Sequence, residues 1–220
     1  MSALTRAPRE AVHHPVFARF YVRWAAVAEE RLELARHRRE LLAGLSGRVI
    51  EIGAGSGANF RHYPAAVCEV VATEPERLLR RAAADAASRV EVPVDVVPAA
   101  AEALPVKSEA FDAAVACLVL CSVRDQRRAL AELRRVVRPG GELRLLEHVR
   151  STGRGMAAAQ WAVDHTFWPL LFGGCHTGRD TLAQVTAAGF ELGTVRRLKV
   201  PDGPIPFPST PHVLCVARRA

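Results

Sequence analysis

Apolar residues along this chain follow two rhythms. Over residues 16–45 they return every three or four positions. Phe17, Phe20, Tyr21, Trp24 and Val27 share one stripe, as on an amphipathic helix. Gly44 and Gly47 punctuate its end. The rhythm then shortens. Apolar runs at 48–52, 69–73, 90–97, 113–120 and 142–149 are of strand length. Helical stretches at 75–87 and 126–137 fall between them, and Pro93 places the third run near a sheet edge. Residues 58–63 open a short helix that Pro64 stops, and 138-RPGG-141 is a turn. A helix at 181–188 stops at Gly189, and strands at 195–200 and 213–217 close the chain around a proline-rich loop. No element is predicted between residues 150 and 180.

Strands alternating with helices predict an α/β fold with a mostly parallel sheet covered on both faces. The run 113-AAVACLVL-120 is apolar almost throughout, as a strand buried on both sides must be. Ligands of such sheets bind beyond the carboxyl ends of the strands. Those ends are Gly53, Glu74, Ala99, the stretch from Cys117 to Ser122, and Glu147 with His148.

Composition narrows the class. A chain of 220 residues, half of them hydrophobic, fits one domain with a helical extension. The net charge of +7 is almost all arginine, with Lys107 and Lys199 the only lysines. The arginines alternate with glutamates on helical stretches, which reads as solvated, self-paired faces rather than a nucleic-acid surface. Five cysteines at irregular spacing, with no C-x-x-C, predict reduced thiols, without metal or disulfide. No apolar run is long enough to span a membrane and no secretory h-region is present, so a cytoplasmic protein without stable membrane insertion is expected.

The segment 51-EIGAGSG-57 follows a strand and opens toward a helix. Glycines there let backbone approach a ligand, and the helix N-terminus favours acceptor groups. Gly53-x-Gly55-x-x-Ala58 also fits a dinucleotide fingerprint, and a bare tight turn is a third reading. Glu51 is spaced to take an ammonium, and Glu74, ending the second strand, to accept both hydroxyls of a ribose. After the fifth strand the chain closes with two strands and builds no second mononucleotide half.

E-x-G-x-G-x-G, the Glu74 acid, 101-AEALP-105 and 138-RPGG-141 together resemble the class I S-adenosylmethionine-dependent methyltransferases. The resemblance covers about residues 47–150. It implies a Rossmann-like sheet of seven strands, mostly parallel with the last antiparallel. An N-terminal helical lid (1–46) would precede the donor-binding domain (47–220). It implies S-adenosylmethionine as cofactor, with Glu51, Gly53, Ala54, Gly55, Gly57 and Asn59 at its methionine part. Glu74 and Pro75 would lie at the ribose, Ala101 and Glu102 at the adenine, and Cys117 and Leu118 along the methyl channel. Relatives often carry an Asp before the Ala-Glu of AEALP; here Ala99 and Ala100 stand there, leaving Glu102 or backbone to hold the adenine amine.

A narrower resemblance reaches further. LVLCSV (118–123), EHV (147–149), D-x-x-x-W-P (164–169) and GGCHTGRDT (173–181) are similar to the methyltransferase-like thiol methyltransferases and their bacterial relatives. They imply a small-molecule acceptor, a thiol methylated at sulfur; O-, N- or C-methylation of another small metabolite or lipid, or a non-catalytic donor-binding module, is the alternative reading. A thiol needs only a neighbouring cation or imidazole to raise its thiolate fraction. His148 and His176 are the candidate catalytic groups, and Arg179 and Trp168 candidate acceptor contacts, with Asp180 an N-cap. Only one of Glu147 and His148 is expected to face the cleft. Cys121 and Ser122 would shape the acceptor pocket, and His14, Phe17 and Tyr21 would act from the lid. Nucleic-acid amino methylation needs a polar residue and prolines after the fourth strand, which LVLCSV lacks. Animal members of that branch carry an N-terminal membrane anchor; the arginine-rich helix here, interrupted by Glu29 and Glu30, departs from it.

Overall fold

The computed structural model describes residues 17–23, 34–203 and 206–220; the expectations for His14, Trp24, Val27, Glu29 and Glu30 lie outside them. Seven strands form one sheet: β1 (Gly47–Ile52), β2 (Val67–Thr73), β3 (Val94–Val97), β4 (Phe111–Cys117), β5 (Val137–His148), β6 (Phe190–Lys199) and β7 (Pro211–Arg219). Their order is β3-β2-β1-β4-β5-β7-β6. Neighbouring strands among β1 to β5 pair in parallel, and β7 runs antiparallel between β5 and β6. This is the Rossmann-like α/β sheet the sequence predicts. Chain order reverses between β1 and β4, so the crevice for a ligand opens beyond their carboxyl ends.

Period-two alternation feeds two cores. Ile50 and Ile52 of β1 join Leu143, Leu145, Leu130 and Leu133 on one face. Val49 joins Val70, Ala72, Leu146, Leu41 and Leu42 on the other. The first face is covered by α4 (Gln126–Val136) and α7 (Thr181–Ala187), the second by α2 (Leu34–Leu42) and α3 (Arg77–Ala87). Arg144 of β5 pins α2 by donating from Nη1 to the carbonyls of Leu41 (3.0 Å) and Ala43 (2.6 Å). It thereby satisfies acceptors that the helix end leaves open.

Several boundaries differ from expectation. β4 stops at Cys117 rather than Leu120, because Leu118 turns into the left-handed region at φ 57°. β3 begins at Val94, since Pro93 cannot donate to the ladder. The RPGG turn is an excursion inside β5: pairing jumps from Phe111↔Val137 to Ala113↔Glu142. Residues 58–63 form only a short 3-10 turn, Phe60–His62. Two helices occupy the stretch read as loop, α5 (Arg154–Asp164) and α6 (Trp168–Leu171). The seven residues 17–23 are helical and are called α1.

Candidate active site

β1 delivers the chain into the glycine loop. At Gly53 (φ 59°) a Cβ would stand 2.2 Å from a Val119 methyl, so only glycine lets this loop touch the turn after β4. Gly55 (φ 58°) donates its N–H to Glu74 Oε2 at 2.9 Å, and its open side faces the Tyr21 ring of α1. Ala54 is buried, its N–H donated to the Thr73 carbonyl at 3.0 Å, and Gly57 closes the turn onto the Ala54 carbonyl.

Alternation places Glu51 beside Val49, on the α2 face of the sheet. Its carboxylate accepts from Asn59 Nδ2 (2.9 Å) and Tyr63 Oη (2.6 Å). Burial lifts its pKa to about 7, against those two bonds and the Arg38 charge. Arg38 of α2 donates from Nη1 to Asn59 Oδ1 (2.8 Å) and Cys117 Sγ (3.0 Å). Both Glu51 oxygens thus serve a buried network under the glycine loop. The sequence reading aimed this acid, and Asn59 with it, at a ligand, and it missed Arg38 and Tyr63.

Glu74 directly follows β2, and its Oε1 accepts the Glu76 N–H at 2.8 Å. Burial raises its pKa to about 7, opposed by its two backbone donors. Both donors are neutral, so each oxygen keeps a lone pair for further donors. Pro75 turns the chain into α3, its carbonyl held by Arg80 at 3.0 Å. A cavity of about 450 Å³ lies between Arg19, Val22 and Arg23 of α1 and Leu78. Another of about 850 Å³, lined by Ser108, Arg134 and Arg135 among others, opens at the amino end of β4, away from these groups. Ala101 is buried, and Glu102 Oε1 accepts the N–H groups of Arg124 (2.9 Å) and Asp125 (3.2 Å) ahead of α4.

Beyond β4, Glu147 governs the turn. It is buried on the α4 side of β5 and accepts the N–H groups of Val119 (2.8 Å), Leu120 (2.8 Å) and Cys121 (3.2 Å). His148, one residue on, takes the opposite direction. Its Nδ1 lies 3.4 Å from Cys175 Sγ, and its ring centroid 4.4 Å from that of His212. Burial pushes His212 down to about 3, so it stays neutral, with Nδ1 at 2.9 Å from the Thr210 carbonyl. Cys121 Sγ, Cys175 Sγ and a ring nitrogen of His148 all fall within 4.8 Å of one another. Cysteine spacing along the chain gave no sign of this meeting. Hydrogen bonding from Cys121 lowers the Cys175 thiol although burial opposes it, while Cys121 is pushed well up by the same contact. Burial disfavours a charged His148, yet its contact with Cys175 leaves its pKa raised. Contacts within the cluster thus favour ionisation of Cys175 over Cys121, and they oppose the effect of burial on His148.

The loop bringing Cys175 is anchored from α5. Asp164 accepts the N–H groups of Thr177 (2.7 Å) and Gly178 (2.9 Å). Buried Gln160 reaches the carbonyls of Val149, Thr177 and Pro208 at 2.9–3.0 Å. His176 donates its backbone N–H to the Cys121 carbonyl (2.8 Å), while its ring Nδ1 rests 2.8 Å from the Gly174 carbonyl. Arg179 donates to the Leu120 carbonyl at 2.7 Å, and Asp180 caps α7 as expected. His176 and Arg179 thus hold the loop against the β4 turn. Trp168 stacks on Phe172 at 4.1 Å, whereas His165 stacks on exposed Trp161. α1 crosses above, with Tyr21 over Gly55 and Phe17 over Gly173. Among the described residues no helix is long and apolar enough to cross a membrane.

A family described as "Methyltransferase domain" matches residues 50–145. The chain is similar to Thiol S-methyltransferase TMT1A of Homo sapiens, 32% identical over 197 residues, covering 84% of this chain and 79% of that protein. It is likewise similar to Thiol S-methyltransferase TMT1B of Mus musculus, 33% identical over 182 residues, covering 79% and 72%. Among solved structures, a "SAM-dependent methyltransferase, possible histamine N-methyltransferase" from Thermotoga maritima shares the fold. Its TM-score is 0.68 at 22% identity, covering 93% of this chain and 99% of that one.

Proposed function

The chain belongs to the S-adenosylmethionine-dependent methyltransferases, and from that premise we propose that its acceptor is a small-molecule thiol, methylated at sulfur by direct in-line transfer. The observation that carries this reading is the Cys121–His148–Cys175 cluster, where the loop after α6 meets the carboxyl ends of β4 and β5. A thiol reacts as its thiolate. A cleft wall made of two thiol groups and an imidazole offers that sulfur both a place for its proton and a polarisable surface. Relatives named for thiol S-methylation, matching four-fifths of this chain, support the same acceptor.

The residues present fit the donor. Glu74 is buried with only neutral donors on it, so a ribose diol supplies the two further hydrogen bonds its anion lacks. Gly55 presents bare backbone beneath the Tyr21 ring, which would stand 3.4 Å from a Cβ there. In this proposal Gly53, Ala54, Gly55 and Gly57 hold the methionine part through backbone. Pro75 and Ala101 flank the nucleoside, and Cys117 and Leu118 wall the methyl channel. Glu51 and Asn59 shape the loop from beneath, and Glu102 fixes the turn before α4 without being needed at the adenine. S-adenosylmethionine supplies a methyl on a sulfonium, an electrophile that needs no covalent enzyme intermediate. Phe17 over Gly173 and Tyr21 over Gly55 shield those two loops from water, and Trp168 backs the loop that brings Cys175. The free cysteines fit a cytoplasmic setting, and the turn after β4 has no polar-proline site for a nucleobase.

The test is a panel of small thiols, phenols and amines with methyl-labelled donor. Turnover of thiols above the others is expected; turnover confined to oxygen or nitrogen acceptors overturns the thiol assignment.

A further inference from the structure

We propose that Cys121, His148 and Cys175 form a three-ligand site for a zinc ion whose fourth position takes the sulfur of the acceptor thiol. The inference rests on the thiol reading and deepens it, naming what holds the acceptor.

Sequence spacing argues against a metal because no two ligands are near neighbours on one motif. The fold removes that objection. Cys121 comes from the turn after β4, His148 from the end of β5, and Cys175 from the loop after α6. Their ligand atoms gather within 4.8 Å of one another, with Cys175 Sγ and His148 Nδ1 at 3.4 Å. A tetrahedral ion with usual Zn–S and Zn–N lengths sets its ligand atoms roughly 3.4 to 3.8 Å apart. Small side-chain rotations close the difference. Two sulfurs and one imidazole select a soft or borderline ion such as zinc, whereas magnesium and calcium want oxygen.

The ligands are held as a site would need. The turn bearing Cys121 is fixed by three N–H groups on Glu147 and by the His176 N–H on the Cys121 carbonyl. Cys175 donates its backbone N–H to Phe172 at 3.1 Å, and Asp164 secures the same loop through Thr177 and Gly178. Three protein ligands leave the open position that catalytic zinc sites keep and structural ones fill. In this proposal that position opens on the partly exposed side of His148, since the two sulfurs are buried.

The chemistry balances on the acceptor side. The incoming thiol sulfur displaces a metal-bound water; the S–H bond breaks and its proton leaves to bulk solvent. The electron pair stays on sulfur, shared with the ion, since a coordinated thiol is deprotonated outright. In this arrangement His148 is a ligand, and the ion takes over the role of a base.

The experiment uses the full chain, stripped with chelator and titrated with Co²⁺. One equivalent is expected to give four-coordinate d–d bands and a thiolate-to-cobalt charge-transfer band, both bleached by Zn²⁺. Cys121→Ser and Cys175→Ser should each remove about half of that charge-transfer band, while exposed Cys68→Ser leaves it unchanged. Adding phenylmethanethiol should intensify it, as a third sulfur joins the ion. Binding of S-adenosylhomocysteine by each variant checks that it folds. Absence of the band, or its survival in both cysteine variants, overturns the site. So does full thiol turnover by metal-free protein, the outcome of a bare hydrogen-bonded thiol pair, and that result leaves the thiol reading standing. Turnover of oxygen or nitrogen acceptors alone removes the thiol reading whatever the cobalt spectrum shows.

Discussion

The Glu147 carboxylate accepts the backbone N–H of Leu120 at 2.8 Å, across from one strand end to the turn that leaves the next. The same oxygen takes the Val119 N–H, and its mate takes that of Cys121. Strand alternation then sends His148 the other way, toward Cys175. One buried acid thus builds the turn that carries Cys121 and lets its neighbour join the cluster.

Glu147→Gln replaces an all-acceptor group by an amide whose NH₂ meets N–H donors. At least one buried donor loses its partner, at a cost of about 1–3 kcal/mol. Urea denaturation should show that loss, and methyl transfer should fall further than donor binding because the turn bears the acceptor side. Equal losses in both would assign Glu147 to general stability alone.

The Arg38 network makes a pH-dependent prediction. Burial holds Glu51 near pKa 7 with Arg38 already beside it. A folded pKa above the unfolded value means stability is fullest below about 4.5 and declines as pH rises toward 7. Arg38→Met removes the compensating charge, lifts the Glu51 pKa further and extends that decline. The variant should lose only about 1 kcal/mol near pH 5, where Glu51 is protonated, and about 3 kcal/mol near pH 8. A gap between wild type and variant that stays constant across this range would contradict the account.

What the sequence shows and hides follows from where order originates. β1, β2, β4 and β5 are legible because burial on both faces makes them almost continuously apolar. α5 is not, since Gln160 is its one buried side chain and no apolar stripe marks it. The glycine loop and Glu74 are legible because their roles depend on local spacing. Arg38 reaches Cys117 from a helix whose arginines look alike in sequence, and the docking of α2, through buried Leu41 and Leu42 and the Arg144 bonds, selects it. Cys175 sits in the GGCHTGRDT motif, yet its meeting with Cys121 and His148 depends on the loop fold set by Asp164 and Gln160, which no pattern announces.

Two glycines separate lid contact from backbone strain. Gly44 (φ 76°) has nothing within 4 Å of where a Cβ would stand, while at Gly173 (φ 60°) a Cβ would sit 2.7 Å from the Phe17 ring. Either replacement by Ala costs about 1–2 kcal/mol for the left-handed backbone. Gly173→Ala should in addition push Phe17 aside and raise the acceptor KM several-fold, with Gly44→Ala leaving KM unchanged. Matching kinetics in the two variants would show that Phe17 does not close on the acceptor.

Glu74 gives a prediction that needs no acceptor. Without donor its pKa is near 7, because burial outweighs two backbone hydrogen bonds. Two ribose hydroxyls donating to the carboxylate favour its ionised form, so binding lowers that pKa and expels a proton. At pH 6.5 the acid is more than half protonated beforehand, and binding should release well over half a proton; at pH 9 it should release none. Calorimetric titration with S-adenosylhomocysteine, in two buffers of different ionisation enthalpy, measures this directly. Glu74→Gln should abolish the buffer dependence and weaken binding on the order of 10- to 100-fold, the worth of hydrogen bonds to a charged group. If the variant keeps the wild-type proton release, another group titrates on binding and Glu74 does not hold the ribose.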